Sequence, residues 1–140
     1  MNPLLPILLM IIFSLLGLIH IYWAFGGQTG WLAALPEVNG KPSFRPSALM
    51  TYFVAFGLFL CALLISITAG FVTLPLPFFI FKWLTFALSL VLLLRATGDF
   101  NLVGFFKRVR GTRFAYLDTR FYSPLCFLLA IGVFLVAYGV

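Results

Sequence analysis

His20 is the single histidine in this 140-residue chain, and it falls near the end of a long apolar run. It shares a helical spacing of three and four residues with Ser14, Gly17 and Ala24. An ionisable group inside an apolar span is a candidate for proton transfer or ligand binding. The plainer reading is a neutral ring donating one hydrogen bond across a helix bundle. Arg95 and Asp99 are four residues apart, a spacing that on a helix supports an ion pair. Their sharper reading is an anion-binding arginine oriented by Asp99. Asp118 stands among Arg113, Arg120 and Tyr122. With Glu37 and Asp99 it completes the acidic inventory, and three carboxylates among nine bases have pairing as their default role. His20, Asp99 and Asp118 are therefore the candidate catalytic residues.

A metal or haem site is not expected, since one histidine cannot form a bis-histidine pair and no Cys/His/carboxylate group has ligand spacing. No cofactor motif occurs, neither a P-loop, a Rossmann glycine pattern nor a nucleophile elbow. Cys61 and Cys126 lie in apolar runs without a CxxC pattern and read as reduced packing residues.

Two segments mix aromatic and basic side chains. Tyr22-Trp23-Ala24-Phe25-Gly26-Gly27 reads as an interfacial aromatic belt with a glycine stop, or as one wall of a ligand pocket with Trp31. Phe100 to Phe114 interleaves aromatics with Lys107, Arg108, Arg110 and Arg113. In a soluble protein that mixture suggests nucleic acid. Beside membrane helices it predicts an interfacial segment whose bases meet anionic headgroups, each contributing about 1 kcal/mol. The candidate ligand- or headgroup-binding set is Tyr22, Trp23, Trp31, Arg95, Lys107, Arg108, Arg113, Arg120 and Tyr122.

The elements that position these residues follow from composition. Hydrophobic residues make up 64% of the chain and charged residues 9%, with a mean hydropathy of +1.17. A soluble fold of this size cannot bury so much apolar surface, so lipid is the expected solvent. A single domain over 1–140 is expected. Met1-Asn2-Pro3 has no basic region of the kind that opens a cleavable signal peptide.

Four spans are predicted, at about 3–25, 47–69, 78–96 and 123–138. The first, at 1.5 Å per residue, reaches about 34 Å and crosses a bilayer. Asn2 and Ser123 are expected to cap the first and fourth, each followed by a first-turn proline. Gly70 ends the second, and Leu74-Pro75-Leu76-Pro77 turns the chain back. Small residues mark the contact faces: Thr51, Ala55, Ala62 and Ser66 on the second span, Thr85 and Ser89 on the third, Cys126, Ala130, Val133 and Ala137 on the fourth. The expected fold is an all-α antiparallel four-helix transmembrane bundle with an interfacial segment between the third and fourth helices. Trp31 and the proline-bounded Pro36–Pro46 segment belong to a first loop of roughly 20 residues, which is expected to be ordered and to hug the membrane.

Seven bases lie in the first and third loops (Lys41, Arg45, Lys107, Arg108, Arg110, Arg113, Arg120) and none in the second. The positive-inside rule makes those loops cytoplasmic and both termini external. The net charge of +6 then reflects topology and not nucleic acid binding. Lys82, the remaining loop-distant base besides Arg95, is expected to snorkel beside Trp83.

His20-x-Tyr22-Trp23-Ala24-x-Gly26-Gly27, Arg95-Ala96-x-Gly98-Asp99-Phe100, Gly104-Phe105-Phe106-Lys107 and Asp118-x-Arg120-x-Tyr122-Ser123-Pro124-Leu125-Cys126 together resemble a family of small bacterial integral membrane proteins catalogued as a domain of unknown function. The resemblance covers essentially the whole chain. It implies a four-span protein of the bacterial inner membrane and treats these stretches as one cytoplasmic-side unit. It brings no activity, cofactor or partner. The expected function is non-enzymatic binding of an anionic lipid, an amphiphile or a membrane partner, with a homo-oligomer also open. Two other readings stand beside it: a membrane enzyme with His20 as acid/base, and a small or proton-coupled transporter.

Overall fold

The computed structural model describes residues 3–139. Four long apolar helices dominate it: α1 (Leu4–Ala24), α2 (Ala48–Thr68), α3 (Phe78–Thr97) and, after a short lead-in helix α4 (Arg113–Leu117), α5 (Ser123–Tyr138). Each is long and apolar enough to cross a membrane, the last when counted continuously from Arg113 to Tyr138. The chain is thus mostly helical and has the character of a multi-pass membrane protein.

The helix ends follow the local chemistry of the sequence. The Asn2 cap lies outside the described residues. Pro3 stands at the N-cap of α1, and the missing N–H of Pro6 falls in the first turn, where amides lack partners anyway. At the other end Gly27 N–H donates to Tyr22 O and Gly26 N–H to Trp23 O, the paired bonds of a glycine-terminated helix. Gly70 and Phe71 close α2 in the same way, onto Ile67 and Ser66. Ser47 caps α2 by accepting from the Met50 N–H at 3.2 Å, a bond that typically contributes about 1 kcal/mol.

The fourth span departs from expectation at its start. Ser123 is not an N-cap. The helical path runs on from α4 through a π-helical turn, Asp118–Tyr122, in which the Ser123 N–H reaches back five residues to Asp118 O. Pro124 supplies the reason. It has no N–H for the ladder, and its ring crowds the preceding turn; a wider turn just before it relieves that crowding. Ser123 is fully buried, and its Oγ has no hydrogen-bond partner among the described residues.

The closest helix pairs are α1 with α2 and α3 with α5; α2 touches α3 and α1 touches α5 more lightly. Neighbours in this ring are joined up and down, as in a four-helix bundle. Leu9, Phe13, Ile65, Leu129, Val133 and Val136 form the shared core. On α2, α3 and α5 the small residues lie at the contacts: Thr51, Ala55, Ala62, Ser66, Thr85, Ser89, Ala130, Val133 and Ala137 are buried. Hydrogen bonds cross between spans, among them Thr68 Oγ1 with Thr85 Oγ1 at 2.8 Å and Ser89 Oγ to Ala130 O at 2.8 Å. On α1 the inward line is Pro6, Leu9, Phe13 and Gly17. Ser14, His20 and Ala24 are only half-buried, because Gly17 already gives the close approach, against the Phe59 ring.

The first loop is folded. A 3-10 turn over Leu32–Ala34 leads into a minimal hairpin of β1 (Glu37–Val38) and β2 (Lys41–Pro42), turned by Asn39-Gly40 with both residues at positive φ. This loop touches α4, and Tyr122 Oη donates to Ala33 O at 3.2 Å across 89 residues. The first and third loops therefore form one cap at the same end of the bundle.

Candidate functional site

The cap is held by a buried charge cluster. Asp118, at the start of the π-helical turn, is fully buried. Its Oδ1 accepts from Arg95 Nη2 at 3.0 Å, and its Oδ2 accepts from Lys107 Nζ at 3.0 Å and from the Gly104 N–H at 2.7 Å. Lys107, 3% exposed, donates also to Gly104 O at 2.9 Å and Thr119 Oγ1 at 2.6 Å. All three ammonium protons thereby have acceptors, which is what a buried lysine requires. Arg95 is about one-third exposed, and its Nη1 has no partner among the described residues.

Backbone contact makes this cluster possible. After α3 the chain folds straight back, so that Gly98 and Gly104 meet backbone to backbone. A Cβ on Gly98 would strike the Val103 carbonyl, and one on Gly104 would strike Thr97 O. Both have φ near +90°. Only glycine meets both demands. The Phe105 N–H then bonds Ala96 O at 2.9 Å, sealing the fold-back.

Asp99 does not pair with Arg95. α3 ends at Thr97, so the four-residue spacing is not helical there. Arg95 turns to Asp118 instead, while Asp99 Oδ1 accepts the backbone N–H groups of Asn101, Leu102 and Val103 at 2.8–3.0 Å. Those bonds, the one from Asn101 first, hold its carboxyl below the usual carboxylate range.

A cavity of about 450 Å³ opens between α1, the first loop and α2. Its walls are almost wholly apolar and include Trp23, Trp31, Leu35, Phe44, Met50 and Val54. His20 lines it too. Its Nδ1 lies 2.7 Å from Leu16 O. A carbonyl only accepts, so Nδ1 carries the hydrogen, and in the neutral ring Nε2 is left as an acceptor without a partner among the described residues. Trp23 packs edge-on against His20 at 5.0 Å and donates its indole N–H to Thr29 O. Thr51 donates to Ser47 O. No lysine, arginine or carboxylate is among the wall residues described.

The expected basic and aromatic pocket thus divides in two. Trp23 and Trp31 wall a cavity with His20, but Tyr22 does not: its ring covers Gly27 and its hydroxyl bonds Thr29. Lys107 turns inward to Asp118 and is not presented to a headgroup, because the Gly98–Gly104 crossing carries it over the carboxylate. Arg95 is engaged the same way. Tyr122 ties the loops together through Ala33. Arg108, Arg113 and Arg120 are exposed. A second groove, about 330 Å³, lies along α4 between Arg110 and Arg120. His20 neither bonds Asp99 or Asp118 nor shares its cavity with them, so the three catalytic candidates do not converge. Phe44, Pro46, Met50 and Val54, which line the aromatic cavity, were not marked by the sequence beyond the proline-bounded character of their loop. Among the described residues no group of three or more His, Cys, Asp or Glu side chains is gathered where a metal ion would sit.

No curated protein and no solved structure matches the chain significantly. A family model does match, over residues 13–133, and its span includes the cavity, the fold-back and the buried cluster. The chain belongs to that family, described as a protein of unknown function, DUF3995.

Proposed function

We propose that this protein binds an amphiphile of the bacterial inner membrane, with the apolar body of the ligand in the cavity beside His20. One observation carries this reading: a cavity of about 450 Å³, walled by Trp23, Trp31, Leu35, Phe44, Met50 and Val54, at the loop end of a lipid-facing bundle. Ligand sites typically measure about 300–1,000 Å³ and combine apolar walls with a few placed polar groups. Here those groups are His20 Nε2 and the Trp31 indole N–H, neither with a hydrogen-bond partner among the described residues. The positive-inside rule puts this end on the cytoplasmic side, with both termini external. Binding is favoured over acid/base catalysis because no carboxylate accompanies the histidine.

Native mass spectrometry of the protein released from mild detergent tests it. A co-purified lipid-like molecule is expected on the wild type. Val54→Trp, which fills the cavity, is expected to remove it. Val91→Trp, at a lipid-facing position of α3, is expected to retain it. Equal occupancy in both variants overturns the reading.

A further inference from the structure

We infer that the groove between Arg110 and Arg120 is a phosphate-binding site, distinct from the aromatic cavity. Its lining supplies hydrogen-bond donors and no carboxylate acceptor among the described residues. Arg110 donates through Nε to Lys107 O at 3.5 Å, and its two terminal nitrogens have no hydrogen-bond partner among the described residues. Arg120, on the π-helical turn, makes no ion pair among the described residues. Two hydroxyls are oriented as donors by what they already accept. Thr112 Oγ1 accepts from the Ala115 N–H at 3.0 Å, and Thr119 Oγ1 accepts from Lys107 Nζ at 2.6 Å. Each keeps its own O–H free for a further acceptor. Tyr116 adds a third hydroxyl, and Phe105 an apolar flank.

The charge around the groove supports the same ligand. Two of the three acidic side chains are engaged elsewhere, Asp118 by Arg95 and Lys107 and Asp99 by three backbone amides, and the third, Glu37 on β1, forms no ion pair with Arg110 or Arg120 among the described residues. An oxoanion with several acceptor oxygens complements two forked donors and converging hydroxyls, and arginine is the side chain suited to it. A phospholipid headgroup and free phosphate share that chemistry.

The test compares phosphatidic acid with diacylglycerol of the same chains by native mass spectrometry, with inorganic phosphate as competitor. Wild-type protein is expected to retain phosphatidic acid and not diacylglycerol. The Arg110→Gln/Arg120→Gln pair is expected to weaken retention by about tenfold or more, the loss of charge-assisted donors. Lys41→Gln, at an exposed base on the first-loop hairpin outside the groove, is expected to leave it unchanged. Displacement by millimolar inorganic phosphate identifies a soluble phosphate ligand; retention in its presence identifies the lipid, and both support the site. Equal binding of diacylglycerol by the wild type overturns the inference, as does an equal loss in Lys41→Gln. The wild-type comparison stands whether or not the variants fold.

Discussion

Lys107 Nζ lies 3.0 Å from Asp118 Oδ2, with the lysine side chain 2% exposed and the aspartate not exposed at all. The bond joins the irregular segment after α3 to the turn that opens α5. Removing one partner of such a pair leaves the other charge buried without compensation. Asp118→Asn is expected to destabilise the protein by about 3–5 kcal/mol, read from unfolding in mixed micelles. Lys107→Met should cost less, because Arg95 and Gly104 still serve the carboxylate. The double variant should fall short of the sum of the two, since both act on one network.

The Gly98–Gly104 crossing makes a second prediction. Alanine at either position places a methyl group against backbone at a positive φ, and a loss of about 2–3 kcal/mol is expected. Gly57 is the control. It sits inside α2 with open space where a Cβ would be, so Gly57→Ala is expected to gain about 0.5–1 kcal/mol.

Asp99 gives a pH dependence with a definite sign. Its folded carboxyl is held below the usual range by the Asn101, Val103 and Leu102 N–H groups. Its contribution is therefore fully present above the unfolded value and is lost as pH falls through the folded one. Hydrogen exchange at those three amides should be slow at neutral pH and accelerate, beyond the intrinsic pH trend, once pH falls below the ordinary carboxylate range. Asp99→Ala should expose them at every pH, and amides within α3 should be unaffected.

Two serines should respond in opposite ways. Ser123 Oγ is buried without a partner, so Ser123→Ala is expected to be neutral or to stabilise by up to about 1 kcal/mol. Ser89 Oγ bonds Ala130 O across α3 and α5. Ser89→Ala is expected to cost about 0.6 kcal/mol, the usual size of such bonds between membrane helices. Thermal unfolding in detergent distinguishes the two.

Much of the fold is written locally. Long apolar runs, the glycines after Phe25 and Ala69, and the prolines of 74–77 set the spans, and small residues locate the contacts on α2, α3 and α5. Part of the site is local too: His20, Trp23 and Trp31 do meet at one cavity. The remainder depends on partners distant in sequence. A lysine in a run of bases reads as solvated; Lys107 turns inward only because two glycines six residues apart let the backbone cross itself. Arg95 and Asp99 have the spacing of an ion pair, but α3 ends between them. Ser123-Pro124 reads as a cap with a first-turn proline, yet a π-helical turn leads into the same residue types.

The hydroxyl of Tyr122 on Ala33 bears on the order in which the molecule is made. Ala33 lies between Trp31 and Leu35, on the segment that roofs the aromatic cavity. In synthesis from the N-terminus, α1, this roof and α2 all precede Tyr122 by some 50 residues or more. The roof therefore acquires its anchor only when the last membrane helix begins to emerge. Until then the Tyr122–Ala33 bond and the contacts of the first loop with α4 are unmade, so the two loops become one cap only as synthesis ends.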